Sequence, residues 1–480
     1  MAFQVVIITD MFSGFGNGVR PIGGYVITSV LRSLGYSVII IPFANYLVRD
    51  NYMMTLLDAF VGDETLFIGF GGLFMNGGSV HESKIWSYPE EDAQKILEFA
   101  KERNIPTVYG GVSADRVVID DKLKHLIGVV DYVTVGQGDR MIVDIINYIE
   151  GKSKYINYNI AYGSKTKVLD YDMEGNLHDY RNAFIQYRHY DFFMPEESLI
   201  IELSRGCMYK CKFCSYPSIG KDQNDVSYIK SKEVVKAMLI EAYEMFGITH
   251  FAIVDDTFNE SIGKLQVIRD VVVESGIPFT FECQGRLELM AKYPEMIDLI
   301  REIGVITMSY GIETLNWDSG KAIGKEAKPE KVKQTLENIK DNYRNHGKQI
   351  SLASNFIVGL PYDTPETILE WMDWVYHTDL LDGMSIYTLL MNGSSEFVKE
   401  PEKYGYTVFE DYKWTNDIWS YDEADKFREK LLKLYPKPHG RAVRKTTIDS
   451  KHSNRIKKWS TPYEFYKEHI LDFALEYKYD

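Results

Sequence analysis

The chain has 480 residues, of which 45% are hydrophobic and 26% are charged, and this usage excludes disorder, collagen-like repeats and coiled coil as the main architecture. A formal net charge of −15 disfavours phosphate backbones and anionic lipid as partners of the surface as a whole. Four cysteines are too few for a disulfide framework, so we expect a reducing, cytoplasmic location. We expect neither a secretory signal nor a membrane span, because the start lacks a basic region and the stretch after Arg32 is short and interrupted.

Residues 1–150 alternate strand-like and helix-like segments and predict a Rossmann-like, doubly wound parallel sheet. The first strand is the apolar run 3–9, and the helix after it is closed by Gly35. Further strand candidates lie at 36–43, 66–72, 106–111 and 131–138. This part of the chain is therefore an α/β domain with helices on both faces.

Several glycines of this domain come where predicted strands end. They are Gly71, Gly72, Gly110, Gly111, Gly136 and Gly138. Each pair alone is explained more simply by tight turns and helix caps. Three such pairs at equivalent strand ends favour the close approach of a large flat ligand, since ligands of such sheets sit at the carboxyl ends of the strands.

The rest of the chain divides into three parts. Residues 151–197 have no clean period and many aromatic side chains, which predicts a connection that packs against its neighbours. Residues 198–392 contain six strand candidates with helices between them and predict a partial or full β/α (TIM-like) barrel, whose active site lies at the strand carboxyl ends. Residues 393–480 predict a helical, aromatic extension that includes the basic stretch 437–458.

Three of the four cysteines lie together directly after the first barrel strand. Cys207, Cys211 and Cys214 are separated by three and two residues, and Cys283 stands apart. Thiolates bind both zinc and iron–sulfur clusters, but a structural zinc ion needs a fourth ligand, and the nearest histidine is upstream at His189. Three ligands favour a cluster with one open iron, and a lone Cys283 in an apolar strand predicts a buried packing role.

This cysteine spacing, with Phe213 before the last cysteine, resembles the signature of radical S-adenosylmethionine (SAM) enzymes. The resemblance implies a four-iron four-sulfur cluster on the three thiolates. Its fourth iron would bind S-adenosylmethionine, and reductive cleavage would give a 5′-deoxyadenosyl radical. It further implies a small-molecule substrate and an electron donor such as flavodoxin or ferredoxin.

The resemblance extends to the ends of the later barrel strands and implies contacts with S-adenosylmethionine there. The residues so assigned are Phe213, Asp255, Asp256, Arg286, Glu313, Ile357 and Gly359. The acidic pair after the second strand is explained about as well by helix capping.

The first 150 residues resemble the cobalamin-binding domain that precedes the barrel in one radical-SAM subfamily. The resemblance implies cobalamin contacts at Gly23, Gly71, Gly72, Gly110, Gly111, Gly136 and Gly138. The chain departs from many cobalamin proteins, because Phe12 stands where a cobalt-binding histidine would follow Asp10. Cobalamin bound without a protein imidazole and a fold that has lost the cofactor both remain open.

These observations favour a cobalamin-dependent radical-SAM methyltransferase acting on an unactivated centre of a small molecule. The alternatives are a cobalamin-independent radical enzyme that rearranges, cyclises or forms bonds, and a zinc-binding scaffold protein. Methylthiotransferases carry three further cysteines in their N-terminal domain, and no cysteine precedes Cys207. The basic stretch predicts a solvated helix face rather than a nucleic-acid site, since no aromatic ladder accompanies it.

Overall fold

A computed structural model describes the chain in thirteen segments. They are residues 2–10, 20–71, 91–112, 128–136, 138–160, 165–170, 181–195, 197–214, 228–325, 327–391, 395–409, 413–438 and 461–479. The chain forms two compact units. The first comprises Met1–Ile200, Glu233–Ile248 and Arg455–Asp480, and the second comprises Ile201–Lys232 and Thr249–Asn454.

The first unit contains a seven-stranded sheet in the order β2-β1-β3-β4-β5-β7-β6. Its strands are β1 (Val5–Ile8), β2 (Val38–Ile41), β3 (Phe67–Gly71), β4 (Thr107–Val112), β5 (Tyr132–Val135), β6 (Asn159–Ile160) and β7 (Lys167–Asp170). All neighbouring pairs are parallel except β6 and β7, which are antiparallel. The predicted Rossmann-like sheet is confirmed, and its five apolar strands lie where the sequence pattern put them.

The described residues of the first unit also form helices, the last of them near the C-terminal end. The helices are Ile22–Ser33, Ala44–Arg49, Met53–Phe60, Glu91–Glu102, Asp139–Ile149, Lys232–Phe246 and Pro462–Tyr479. The last of them packs aromatic side chains on the sheet's core, where the rings of Phe3 and Tyr477 stack 4.8 Å apart. Burial of such rings is a main source of stability for a unit of this size.

Residues 151–197, which the sequence pattern predicts to connect domains, lie within the first unit. They supply β6 and β7, and their last part is anchored by two buried ion pairs, Arg20 with Glu197 and Arg32 with Asp191. The four-part division of the chain stays a prediction.

The second unit is built on a six-stranded parallel sheet in the order β13-β12-β11-β10-β9-β8. Its strands are β8 (Leu199–Ile201), β9 (His250–Ile253), β10 (Thr280–Gly285), β11 (Val305–Glu313), β12 (Ser351–Val358) and β13 (Gly383–Thr388). The strand order follows the sequence order, so every crossover joins neighbouring strands. The predicted barrel is confirmed with all six of its strands.

Helices alternate with these strands, and the C-terminal extension adds a small hairpin. The helices are Ile262–Ser275, Leu287–Lys292, Glu295–Ile303, Trp317–Ala322, Pro329–Asn345, Pro365–His377, Glu396–Lys399 and Tyr421–Leu434. The hairpin pairs Thr407–Val408 with Trp414–Thr415. Because the strands are parallel, their carboxyl ends meet at one edge, and the loops that follow them can share a site.

Most of the basic stretch 437–458 lies outside the described residues. Lys437 is described, and its Nζ donates to the carbonyl oxygens of Val375, Tyr376 and Thr378 at 2.8–3.2 Å. A cation at the C-terminal end of the helix Pro365–His377 satisfies the helix's last carbonyls and its dipole. Among the described residues, no helix combines the length and apolarity needed to cross a membrane.

Candidate active site

The loop that carries the three cysteines follows β8 directly. Cys207, Cys211 and Cys214 are all partly exposed and unbridged. The amide of Cys214 donates to the carbonyl of Cys211 at 3.1 Å, and the amide of Lys212 donates to the carbonyl of Ile323 at 3.1 Å. The loop is therefore turned on itself and tied to the segment after the helix Trp317–Ala322.

Cys207 lies against the loop that follows β9. Its Sγ is 3.4 Å from the hydroxyl oxygen of Thr257, a buried side chain. Burial raises the pKa of the Cys207 thiol, although the Thr257 hydrogen bond acts in the opposite direction. A hydroxyl placed in this way can donate to the sulfur once the thiol has lost its proton.

Cys211 lies against Arg286, the first residue after β10. The guanidinium Nη1 donates to the Cys211 Sγ at 2.9 Å, and Nη2 reaches Glu288 at 3.4 Å and the carbonyl of Gly324 at 3.3 Å. The Arg286 backbone is held by Asn259, whose amide side chain both accepts from its N–H and donates to its carbonyl, each at 2.9 Å. The guanidinium is thus held at the sulfur of a predicted cluster ligand.

A buried charge cluster supports the strand end below the cysteine loop. Asp255 accepts from the amides of Leu203 and Ser204 at 2.7 and 3.0 Å, and its other oxygen is 2.6 Å from Lys264 Nζ. Lys264 also pairs with Glu260 at 2.8 Å. Asp255 therefore positions the chain that leads into the cysteine loop, and its oxygens are already engaged.

Asp256, its neighbour, differs in that its carboxyl is exposed. Enough protein still surrounds it that desolvation, followed by the like charges of Asp255 and Glu202, raises its pKa to about 6. Of the two predicted acids after β9, only this one is accessible to a ligand.

Glu313 ends β11 in a left-handed conformation, with φ 70°, where the register of β11 against β12 shifts. Burial raises its pKa to about 7, although Lys325, whose Nζ is 3.8 Å from its Oε1, acts against this. Lys325 also donates to the carbonyl of Gly311 at 2.6 Å and lies 3.6 Å from Glu288. Glu288 links this group to Arg286, so Glu313 and Arg286 belong to one charged network.

Ile357 and Gly359, at the end of β12, are predicted to contact S-adenosylmethionine, but their surroundings are made of protein side chains. Ile357 is buried, and Gly359 has φ +99°. A Cβ at position 359 would lie 2.3 Å from the ring of Trp414, and the Gly359 carbonyl accepts from the hydroxyl of Tyr406 at 2.7 Å. Contacts with the C-terminal extension thus account for this glycine.

In the described part of the chain, no three His, Cys, Asp or Glu side chains converge as ligands of one metal ion. A cluster does not need such convergence, because each thiolate binds its own iron. The predicted cluster ligands stand on one loop, Arg286 and Thr257 contact two of their sulfurs, and Phe213, between Lys212 and Cys214, is partly exposed.

The predicted cobalamin glycines belong to the first unit. Gly71 ends β3 and Gly110 lies within β4, and a Cβ at these positions would lie 2.5 Å from the hydroxyl oxygens of Thr9 and Thr134 respectively. Close packing against these threonines explains both glycines. Gly23 is exposed, and beyond its own stretch of helix no described heavy atom lies within 4 Å of a Cβ placed there.

Three more of these glycines are described, and two residues of the prediction are not. Gly111 lies within β4, Gly136 has φ +83°, and Gly138 precedes the helix Asp139–Ile149. Gly72 and Phe12 lie outside the described residues.

Sequence reasoning missed the contact of Thr257 with Cys207, and it missed several residues that shape the site, namely Asn259, Lys264, Glu288 and Lys325. The cue for Asn259 and Lys264 was available, since buried polar side chains tend to follow barrel strands on the side of the active site. The partners of Lys325 and Glu288 come from separate loops, and a single sequence carries no signal for that pairing.

Comparison with known proteins assigns part of the chain to a family. Residues 201–375 match the Radical SAM superfamily. The predicted radical SAM domain is confirmed, and the family's four-iron four-sulfur cluster and S-adenosylmethionine are the cofactors to be expected of it.

Two curated proteins are similar to parts of the chain. A hopanoid C-2 methylase from Rhodopseudomonas palustris (strain TIE-1) is 32% identical over 177 residues, 35% of this chain and 31% of that protein. An anaerobic magnesium-protoporphyrin IX monomethyl ester cyclase from Rubrivivax gelatinosus is 22% identical over 291 residues, 58% of this chain and 50% of that protein. The chain thus matches half or less of the length of these relatives.

One solved structure shares the architecture of both units. It is the radical S-adenosylmethionine methyltransferase TsrM from Kitasatospora setae, with cobalamin and a [4Fe-4S] cluster bound. The TM-score is 0.59 at 14% identity, and the likeness covers 84% of this chain and 76% of TsrM. At this identity the likeness establishes the fold.

Proposed function

We propose that this chain, whose residues 201–375 form a radical SAM domain, binds a four-iron four-sulfur cluster through Cys207, Cys211 and Cys214 and acts on S-adenosylmethionine. The observation that carries the proposal is the cysteine loop itself. Three unbridged, partly exposed thiols follow β8, and side chains from the next two strand ends contact two of their sulfurs. When bound, the cluster would supply the electron that cleaves the sulfonium reductively.

The residues around the loop fit this group. A cationic guanidinium and a hydroxyl suit thiolates of an anionic cluster, because hydrogen bonds to charged acceptors are about twice as strong as neutral ones. The buried pair Asp255–Lys264 fixes the loop's start without offering a ligand of its own. The loop would therefore be held in place before a cluster assembles.

Asp256 is the best candidate in the described residues for the amino group of S-adenosylmethionine. Its carboxyl is exposed, next to a residue that contacts Cys207, and a cationic amino group would favour its charged form. Glu313, Arg286, Phe213, Ile357 and Gly359 remain proposed contacts, although Gly359 is enclosed by Trp414 and Tyr406.

We further propose that the first unit binds cobalamin and that the reaction is methyl transfer to an unactivated centre of a small molecule. Two observations support this: the fold is that of a cobalamin-bound methyltransferase, and a methylase is among the relatives. Gly71 and Gly110 add nothing to this support, because the side chains of Thr9 and Thr134 fill the space beside them.

A second candidate is a cobalamin-independent radical reaction that cyclises or rearranges its substrate. Its support is the absence from the sequence of a histidine two residues after Asp10, together with the cyclase among the relatives. In either case an external one-electron donor, such as flavodoxin or ferredoxin, is required.

The decisive experiment is anaerobic purification and reconstitution of the full chain. We expect brown protein with about four irons per chain, deoxyadenosine formation from S-adenosylmethionine with dithionite, and cobalamin in the extracted cofactor fraction. Colourless, zinc-loaded protein would contradict the radical SAM proposal and favour the scaffold alternative. Brown protein that stays free of cobalamin after growth and refolding with hydroxocobalamin would leave the second candidate.

A further inference from the structure

The loop after β9 and the first residue after β10 together contact the sulfurs of two cluster ligands. Thr257 Oγ1 is 3.4 Å from Cys207 Sγ, and Arg286 Nη1 is 2.9 Å from Cys211 Sγ. Asn259, two residues after Thr257, holds the Arg286 backbone through two hydrogen bonds of 2.9 Å. The segment from Thr257 to Asn259 thus places a hydroxyl at the Cys207 sulfur and holds the residue whose guanidinium contacts the Cys211 sulfur.

The Arg286 guanidinium is not free to swing away from this position. Its plane lies over the ring of Tyr209, with the guanidinium carbon 4.2 Å from the ring centroid, and Nη2 is held by Glu288 and the carbonyl of Gly324. Tyr209 itself lies on the cysteine loop, between Cys207 and Cys211. The arginine is therefore clamped on both sides, with one N–H directed at the sulfur.

From this geometry we infer that Arg286 sets the reduction potential of the cluster by donating a charge-assisted hydrogen bond to the Cys211 thiolate, with Thr257 contributing a weaker donor at Cys207. The inference rests on the proposed function, since it concerns the cluster held by these ligands. Reduction adds one electron, from a flavodoxin- or ferredoxin-type donor, to a group that already carries thiolate charge. Hydrogen bonds to the sulfurs stabilise the more negative state and raise the potential.

This role differs from the one that the family resemblance implies for Arg286, which is to bind the carboxylate of S-adenosylmethionine. If Arg286 acts only on the carboxylate, its substitution changes the affinity for S-adenosylmethionine, and Arg286→Lys, which keeps the cation, leaves the potential of the cluster without S-adenosylmethionine unchanged. A residue that donates to the thiolate changes that potential without S-adenosylmethionine present. The two roles are therefore separable by measurement.

The test is an anaerobic redox titration of reconstituted full-length protein without S-adenosylmethionine, followed by electron paramagnetic resonance, on Arg286→Leu, Arg286→Lys and Thr257→Val. We expect Arg286→Leu to lower the equilibrium constant for one-electron reduction about tenfold, a midpoint potential about 59 mV more negative. Arg286→Lys keeps a cation and Thr257→Val removes only a neutral donor, so both are expected to shift the potential in the same direction by less.

Arg301→Leu is the matched control. Arg301 lies in the helix Glu295–Ile303 and donates to Asn342 and Asp298, so its loss leaves the charge at the cysteine loop unchanged. The reduction potential of the cluster in Arg301→Leu is expected to equal that in the unmodified protein. Iron content is measured in every variant, so that a lost cluster is not mistaken for a shifted one.

An unchanged reduction potential in Arg286→Leu with four irons bound would overturn the inference. A larger dissociation constant for S-adenosylmethionine in that variant would then assign Arg286 to the carboxylate instead. If Arg286→Leu does not load iron, the lysine and valine variants decide by the same criterion. Failure of the unmodified protein to assemble a cluster would contradict the proposed function itself, which is a different result.

Discussion

Two buried arginine environments, one in each unit, differ in how completely the guanidinium is satisfied. Arg20 in the first unit donates all five of its N–H groups, to both carboxylate oxygens of Glu197, to the hydroxyl of Tyr25 and to two carbonyls, at 2.7–3.1 Å. Arg286 in the second unit makes three longer or less ordinary contacts among the described residues, one of them to a sulfur.

The difference is what we expect if Arg20 has a structural role and Arg286 has the proposed role at the cluster. A guanidinium with every donor used, as at Arg20, has nothing left for a ligand and stabilises the fold only while its partner is present. Among the described residues Arg286 uses fewer of its donors, and its shortest contact is the Cys211 sulfur, a proposed cluster ligand. Completeness of hydrogen bonding is therefore a better guide to role here than burial, since both side chains are largely buried.

The largest effect is expected from removing Cys211, the proposed cluster ligand that Arg286 contacts. Cys211→Ala is expected to abolish cluster assembly and deoxyadenosine formation while leaving the fold intact, because the thiolate supplies a metal bond and its side chain is partly exposed. Iron analysis and far-ultraviolet circular dichroism measure the two properties separately.

Cys283→Ala is the matched control, since Cys283 is buried within β10 and is not a predicted ligand. It is expected to keep its iron. Deoxyadenosine formation by Cys211→Ala would contradict the assignment of the cysteine loop.

The sequence predicts those parts of the fold whose signal is local to one stretch of chain. Apolar, β-branched runs such as 3–9 and 36–43 predict buried strands, and the structure has a buried strand in each of these two runs. β7, with Lys167 and Asp170 at its ends, has no such run and was not predicted. It becomes a strand because β5 offers it a parallel partner, and pairing of this kind depends on tertiary structure.

The buried ion pair between Arg20 and Glu197 in the first unit can be tested by removing its carboxylate. Glu197→Ala is expected to lower the free energy of unfolding by about 3–5 kcal/mol, because it leaves the Arg20 guanidinium buried without its counter-charge. Hydrogen exchange of the helix Ile22–Ser33 measures the loss locally, which suits a chain of two units.

Two comparisons sharpen this result. The double variant Arg20→Met, Glu197→Leu removes both charges and is expected to recover most of the loss. Lys403→Ala breaks an ion pair of 2.6 Å to Glu400 whose side chains are both more than half exposed, and it is expected to leave the free energy of unfolding almost unchanged, because solvent screens the pair. An equal loss in all three variants would mean that burial does not decide the energy of these pairs.

A buried carboxyl without a cation extends the comparison to the second unit. Asp363 is fully buried and accepts from the hydroxyl of Ser319 at 3.2 Å, and burial raises its pKa to about 7 against the hydrogen bonds of Thr314, Asn316 and Ser319. The folded state then binds more protons than the unfolded state between about pH 4 and pH 7, so the free energy of unfolding falls as pH rises through that window.

Asp363→Asn removes this contribution. We expect the difference in unfolding free energy between pH 5 and pH 8 to shrink by about 2–3 kcal/mol relative to the unmodified protein, as one pKa unit is worth about 1.4 kcal/mol. Urea unfolding at the two pH values measures it. A pH dependence unchanged by the substitution would mean that Asp363 is charged throughout that range.

The site was less predictable than the fold for a physical reason. The cysteine spacing is local, so it could be recognised in the sequence, whereas the Arg286–Cys211 contact joins residues 75 positions apart. The role assigned to Gly359 illustrates the same limit, because its partner Trp414 lies in an extension for which the sequence pattern gave no residue-level expectation.

A pair of glycine substitutions tests the contact between Gly359 and Trp414. Gly359→Ala adds a methyl group at φ +99°, where it would collide with the Trp414 ring, and Gly276→Ala adds one at φ +64° with no heavy atom within 4 Å. Both substitutions cost about 1–2 kcal/mol for the left-handed backbone, and only the first adds about 1–3 kcal/mol of overpacking. The difference between their unfolding free energies therefore isolates the packing of the C-terminal extension on the end of β12. Equal losses would mean that Trp414 moves aside without cost, and the enclosure of Gly359 would then be no obstacle to its predicted contact with S-adenosylmethionine.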